Sequence, residues 1–338
     1  MKRTTMKDVA RRAGVSTATV SHVINGTRHV EEPTRQAVIA AMRELGYQPN
    51  SIARSLRSGE TKTIGLMVPD ASNLFFADIA RRIENIGYEN GYSVILCNSD
   101  NDLAKQQEYV NTLIAKQVDG VIFISAGESR EDLERLTASG TPVVVADRDV
   151  PLHLADVVLL DNEAAGYVAA GHLLDLGHER IACITGPPGV GPSMQRVTGC
   201  QRAMAERGLR LDESLILPGD FTIQAGLRGM ETLLDRPSPP TAVFVLNDMM
   251  AIGAISTARR KGCRVPDDLS VIGFDDIELA PAVNPALTTM AQPVQEMAEI
   301  ATGRLLEKIH SSDSNWENEQ IILSAELVVR ESTAARKS

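Results

Sequence analysis

The sequence predicts an α/β protein with an N-terminal all-α helix-turn-helix head and two doubly wound parallel-sheet subdomains behind it. Three observations predict it. Residues 6–46 carry three short apolar stripes at helical spacing, separated by glycines. From residue 63 onward, short continuous β-branched runs alternate with helical stretches. Charge is divided in the same way: residues 1–62 hold 11 Lys and Arg against 5 Asp and Glu, net +6, while the remainder of this net −10 chain carries −16. A basic head on an acidic body confines contact with a polyanion to the head.

In the head, Val9, Ala10 and Ala13 form the first stripe. Gly14 permits a sharp turn and Ser16 is placed to cap the next helix. Val20, Val23 and Ile24 form the second stripe, which Asn25-Gly26 stops. A third helix fits residues 32–45, with Ala37, Val38, Ala41, Met42 and Leu45 inward and Gly46 at its end. Two helices across a tight turn, braced by a third, make a helix-turn-helix. Its second helix exposes Thr17, Ala18, Ser21 and His22, short polar groups suited to base edges and phosphates in a major groove.

The run MKDVARRAGVSTATVSHVING resembles the head of the LacI family of bacterial repressors, and the resemblance continues over essentially the whole chain. It implies that Thr17, Ala18 and His22 face bases and that Arg28 and Tyr47 help hold the DNA. It also implies a homodimer on a pseudo-palindromic operator. Residues 51–62 read as a linker in which Ile52, Ala53 and Leu56 form a small apolar face flanked by Arg54 and Arg57. Such a segment is too short for a stable helix in water and would fold only against a partner. The resemblance implies a hinge helix in the minor groove, with Leu56 wedged into a base step and Arg54 and Arg57 near phosphates.

The strand candidates of the body are residues 63–68, 92–97, 119–124, 142–146, 180–185, 241–246 and 269–274. Their number implies two subdomains. The division expected is 1–50 for the head, 51–62 for the linker and 63–338 for the body. Within the body, subdomain one takes about 63–161 and 292–320, and subdomain two about 162–291 and 321–338. The tail run QIILSAELVVR is expected to add one strand to subdomain two. Three crossings between the halves build a hinged cleft, where small ligands sit.

Residues just beyond the strand ends are the candidates for ligand contact. They are Asn73, Phe75 and Phe76; Asp147 and Arg148; Arg196; Phe221; Asn247; Asp275; and Gln292 at a crossover. Three of the six Phe of the chain fall in this set. Aromatic faces pack on sugar C–H faces or on a base, and carboxylates, Arg, Asn and Gln pair with hydroxyls. Of the two adjacent carboxylates in FDD, Asp275 reads as a ligand acceptor and Asp276 as a helix cap. The runs NLFF, ADRD, GDF, ND and GFD resemble the sugar contacts of periplasmic ribose-binding proteins, whose fold the LacI-family body shares. This implies stacking by Phe75, Phe76 and Phe221, and hydroxyl contacts from Asn73, Asp147, Arg148, Arg196, Asn247, Asp275 and Gln292. Ser125 stands near a position where ribose binders place an Asn. RIACITGP and DDIELA resemble ribose-responsive members of the family. Purine-responsive members carry Arg and Thr in the loop where Val190 and Pro192 stand here, and a Trp in place of Arg148. D-ribose is therefore the expected effector, releasing the repressor from its operator. The alternatives are a purine corepressor, a phosphosugar effector, or a solute-binding protein with an unusual head.

Other classes are weakly supported. GPPGVGPS lacks the Gly-Lys-Ser/Thr of a phosphate loop, no complete G-x-G-x-x-G follows a strand, and no nucleophile elbow occurs, so no enzyme is expected. Cys97, Cys183, Cys200 and Cys263 form no C-x-x-C pair and read as buried free thiols. His172 and His178, six apart, fall on different helix faces, so no metal or cofactor is expected. No apolar run approaches the ~20 residues of a membrane span. No apolar stretch follows the polar start, so a cytoplasmic location is expected. The tail ESTAARKS shows no leucine heptad, which favours a dimer over a tetramer.

Overall fold

The structure, a computed structural model, describes residues 4–48, 59–124, 130–311 and 316–337. Arg54, Leu56, Arg57 and Ser125 lie outside the described residues. The chain forms two compact units, Met1–Thr61 and Lys62–Ser338.

The first unit contains α1 (Met6–Ala13), α2 (Thr17–Asn25) and α3 (Glu32–Glu44). The carboxylate of Asp8 accepts from the backbone N–H of Thr5 at 3.0 Å, which satisfies a donor at the start of α1. Gly14 ends α1 in the left-handed region, and the Ser16 hydroxyl caps α2 by accepting from Thr19 N–H at 3.0 Å. Val9, Val20 and Val38 are fully buried, with Ala10 and Ala41 beside them. Ala37 is exposed, contrary to the expectation of an inward face: the helix period places it beside Gln36 on the solvent side, and Val38 takes the core position.

The second unit runs β1 (Thr63–Val68), α4 (Leu74–Glu89), β2 (Ser93–Asn98), α5 (Leu103–Ala115), β3 (Gly120–Ile124), α6 (Arg130–Ala138), β4 (Val143–Ala146) and β5 (Asp156–Leu160). It continues with α7 (Asn162–Asp175), β6 (Ile181–Thr185), α8 (Gly191–Glu206), β7 (Ile216–Pro218), α9 (Ile223–Leu234), β8 (Ala242–Val245), α10 (Asp248–Arg260), β9 (Ser270–Asp275) and β10 (Thr288–Ala291). Then come α11 (Val294–His310), β11 (Gln320–Leu323) and β12 (Glu326–Val328). One sheet has the order β11-β5-β4-β3-β1-β2 and the other β12-β10-β9-β8-β6-β7. Each reverses direction around its first strand, β1 in one and β6 in the other. In such sheets, ligands bind beyond the carboxyl ends near that reversal. Continuous burial of β1, β3, β4 and β9 explains why their sequences are unbroken apolar runs.

The tail corrects the expected division. It makes two strands rather than one. Gln320–Leu323 pairs parallel with β5 in the first sheet, and only Glu326–Val328 reaches the second, antiparallel to β10. The reason is α11, which packs on the first sheet and delivers the chain to the edge beside β5. Buried Asp156 fixes that delivery. It pairs with Arg304 and Lys308 of α11, each at 2.7 Å, and accepts from Trp316 Nε1 at 3.2 Å and Glu319 N–H at 2.9 Å.

Three smaller expectations also change. Cys97, Cys183 and Cys200 are buried free thiols as expected, whereas Cys263 is only half-buried. Asp276 does not cap a helix; it pairs with Arg330 at 2.7 Å, because no helix follows it. His172 and His178 converge on the tail rather than diverge, since α7 ends before residue 178. His172 bonds Thr333 at 2.9 Å and His178 bonds Ser270 and the Ala334 carbonyl at 3.0 Å. No helix among the described residues is long and apolar enough to cross a membrane.

Candidate functional site: the second helix of the head and an inter-subdomain cavity

On α2, Thr17 and Ala18 are exposed, and Ser21 and His22, one turn later, are half-buried on the same face. The Asn25 amide donates to the Ser21 carbonyl at 2.8 Å. His22 Nδ1 lies 2.9 Å from the Thr27 hydroxyl. Arg28 is exposed, whereas Tyr47 packs part of its ring against the head core.

In the body, all ten residues expected at the ligand site line one cavity, together with Val190 and Pro192. It holds about 370 Å³ of space free of atoms, part of it open to solvent. Elements of the first sheet supply Asn73, Phe75, Phe76, Asp147 and Arg148. Elements of the second supply Val190, Pro192, Arg196, Phe221, Asn247 and Asp275, with Gln292 at the crossover after β10.

Each side chain is set by local structure. The Asn73 side-chain Oδ1 caps α4, accepting from Phe75 N–H at 3.0 Å, and so aims the Phe pair. Phe75 and Phe76 meet edge to face at 5.1 Å. Asn247 caps α10 through Met250 N–H at 3.0 Å, and its amide donates to the Phe221 carbonyl at 3.1 Å. Its polar ends therefore hold protein groups, and its main effect on the cavity is to fix Phe221. The tip of the Phe221 ring lies against Gly186, where a Cβ would come within 2.1 Å of the ring.

Arg196 is the most tightly held group. It is buried, its guanidinium lies 3.4 Å over the Phe274 ring, and it donates to Asn162 Oδ1 at 2.8 Å and the Leu246 carbonyl at 2.6 Å. Burial lowers its pKa, partly opposed by Asp275 and Asp147. Asp275 accepts from Gln292 Nε2 at 2.7 Å. Burial pushes the Asp275 carboxyl up to about 7; Arg196 and Gln292 pull it down and Asp147 adds to the rise. The buried polar atoms without a hydrogen-bond partner among the described residues include Arg148 Nη1 and Gln292 Oε1. Both belong to cavity-lining residues. Three lining residues also sit at positive φ without being glycine: Asp147 (65°), Phe221 (65°) and Asp275 (112°). Such backbone costs of order 1–3 kcal/mol each and gathers at ligand sites.

Sequence reasoning missed Asn162, Phe274 and the Leu246 carbonyl, the three groups that hold Arg196. Asn162 follows directly on the end of the first half of the chain and carried no signal beyond that of a helix start.

A helix-turn-helix head followed in the chain by a two-sheet body with a polar cavity is the make-up of a DNA-binding regulator. Residues 5–50 match the bacterial regulatory proteins of the lacI family, and residues 170–333 match the periplasmic binding protein-like domain. The chain is 41% identical over 329 residues to the HTH-type transcriptional repressor PurR of Photobacterium profundum, covering 97% of this chain and 98% of that one. The lac repressor dimer bound to operator and the anti-inducer ONPF superposes with a TM-score of 0.87 at 29% identity, covering 99% of this chain and all of that one. A LacI family regulator from Enterococcus faecium with bound ribose gives 0.75 at 34% identity, over 81% of this chain and all of that one. The chain belongs to the LacI family and is a DNA-binding transcriptional repressor.

Proposed function

We propose that this repressor controls a sugar-utilisation operon and leaves its operator when a small sugar, D-ribose, fills the cavity. One observation carries the reading: two buried carboxylates, the unpartnered Arg148 Nη1 and Gln292 Oε1, and three Phe rings share one cavity. A hydroxyl both donates and accepts, so adjacent hydroxyls satisfy Gln292 Oε1, the carboxylates and Arg148 together, while ring C–H faces pack on Phe. The ribose bound to the E. faecium relative supports the same ligand class. The repressor works as a cytoplasmic homodimer on a pseudo-palindromic operator. Thr17, Ala18, Ser21 and His22 meet bases, while Arg28, Tyr47, Arg54 and Arg57 hold the backbone and Leu56 wedges a base step. No cofactor takes part.

A purine effector is the second reading, favoured by the 41% identity to PurR. Against it, Val190 and Pro192 on the cavity wall offer no side-chain hydrogen bond to the edge of a base. Calorimetry on the full chain with ribose, other pentoses, hypoxanthine and ribose 5-phosphate separates these readings. Ribose binding that also weakens operator retardation supports the proposal. Hypoxanthine binding without ribose binding overturns it. Because coupling is reciprocal, operator must weaken ribose affinity by the factor by which ribose weakens operator affinity.

A further inference from the structure

The His22 imidazole has two nitrogens of opposite hydrogen-bonding character when neutral, and the tautomer decides which one donates. An unrestrained ring can turn and change tautomer, and so offer a base either a donor or an acceptor. Here Nδ1 is engaged by the Thr27 hydroxyl at 2.9 Å, and Nε2 has no partner among the described residues. Thr27 reaches His22 because Gly26, at a φ of 63°, turns the chain back over the end of α2 in a conformation other residues rarely adopt. Thr27 itself is exposed and takes no part in the head core. Its one hydrogen bond between side chains in the described structure is the bond to His22.

We infer that Thr27 is a positioning residue for operator recognition, holding the His22 ring so that Nε2 is the nitrogen that meets the base. The inference rests on the reading of His22 as a base contact. Whichever partner donates in the Thr27–His22 bond, the ring is held in one orientation and one tautomer. If the hydroxyl donates, Nε2–H meets an acceptor such as guanine N7 or O6. If Nδ1–H donates, Nε2 accepts from the amino group of adenine or cytosine. Losing the hydroxyl frees the ring to present both characters, so discrimination at that base pair is lost while backbone contacts persist.

The test uses the full chain with Thr27→Val, Thr27→Ser, His22→Ala and the Val–Ala double variant. Operators are selected from a pool randomised across the half-site, and the preferred sequence and its single-base variants are then compared at fixed salt. Thr27→Val should lower discrimination at the position that His22→Ala relaxes, by about ten-fold, and leave the other positions and the salt slope unchanged. Thr27→Ser keeps the hydroxyl and should restore the preference. The double variant should lose no more than His22→Ala alone. A Thr27→Val protein that keeps the wild-type preference where His22→Ala has lost it overturns the inference. So does one that weakens every sequence equally. If His22→Ala changes no base preference, the assignment of His22 itself is wrong and the inference falls with it.

Discussion

The two walls of the cavity are built differently. On the second-sheet side, Arg196 is stacked on Phe274 and bonded to Asn162 and Leu246, Asn247 is locked to Phe221, and Asp275 is bonded to Gln292. On the first-sheet side, Arg148 is half-buried with an unpartnered Nη1, and Phe76 is also half-buried. Apart from Gln292 Oε1 at the crossover, the second wall is pre-organised, and the first retains Arg148 Nη1 for the ligand to engage. Pre-organisation removes ordering costs from binding, whereas an unpartnered buried donor gains its partner only when the ligand arrives. The two arginines should therefore behave differently on truncation.

Arg196→Ala should have the largest effect. Ribose affinity should fall by about a hundred-fold or more in calorimetry, because a buried cation facing two carboxylates is lost. Stability should fall as well, by about 1–3 kcal/mol in urea, because Asn162 Oδ1 and the Leu246 carbonyl lose their donor. Arg148→Ala should cost about ten- to a hundred-fold in ribose affinity with little change in the urea midpoint. Equal stability losses for the two variants would erase the contrast between the walls.

The pH dependence of binding should be next in size. Arg196, Gln292 and Asp147 face Asp275, whose carboxyl is pushed up to about 7. Ligand hydroxyls donate to the carboxylate form, so ribose affinity should rise about ten-fold from pH 6 to pH 8, with a proton released on binding. Asp275→Asn should flatten this profile. The sign for stability is the reverse. The folded, unliganded carboxyl titrates above its unfolded value of about 3.9, so its contribution is intact below that pH and is lost as pH rises through about 7. The thermal gain of unliganded Asp275→Asn over the parent chain should therefore be larger at pH 8 than at pH 5. Phe76→Ala should have the smallest effect on ribose affinity, a loss of about two- to ten-fold, since its ring is half-exposed and Phe75 still covers that wall.

The ten cavity residues were legible because they obey a rule of topology. In a doubly wound sheet the strand ends converge, and polar or aromatic residues just past a buried run mark them. What they do there was less legible. Asn73 and Asn247 look like ligand amides in the sequence, yet each spends its side-chain Oδ1 on a helix cap. The same residue types serve both purposes, so type and position do not separate them. The strands β5, β7 and β10 went unmarked: β7 and β10 are the short runs ILP and TTMA, and β5 is the five-residue run DVVLL soon after β4. In the tail, one apolar stretch was divided between two sheets by where α11 ends.

The sequence by itself determined the helix-turn-helix, the two-sheet body and the identity of the cavity residues. Each is written in local signals: helical spacing, capping residues and unbroken β-branched runs. Only the tertiary structure decided which cavity groups are held and which are left for a ligand. The bonds that hold Arg196 join it to partners 34 and 50 residues away. The positive φ of Asp147, Phe221 and Asp275 runs against their own backbone preferences and is imposed by the strands and bonds around them. Those constraints come from packing distant segments together, and no window of sequence contains both ends of them.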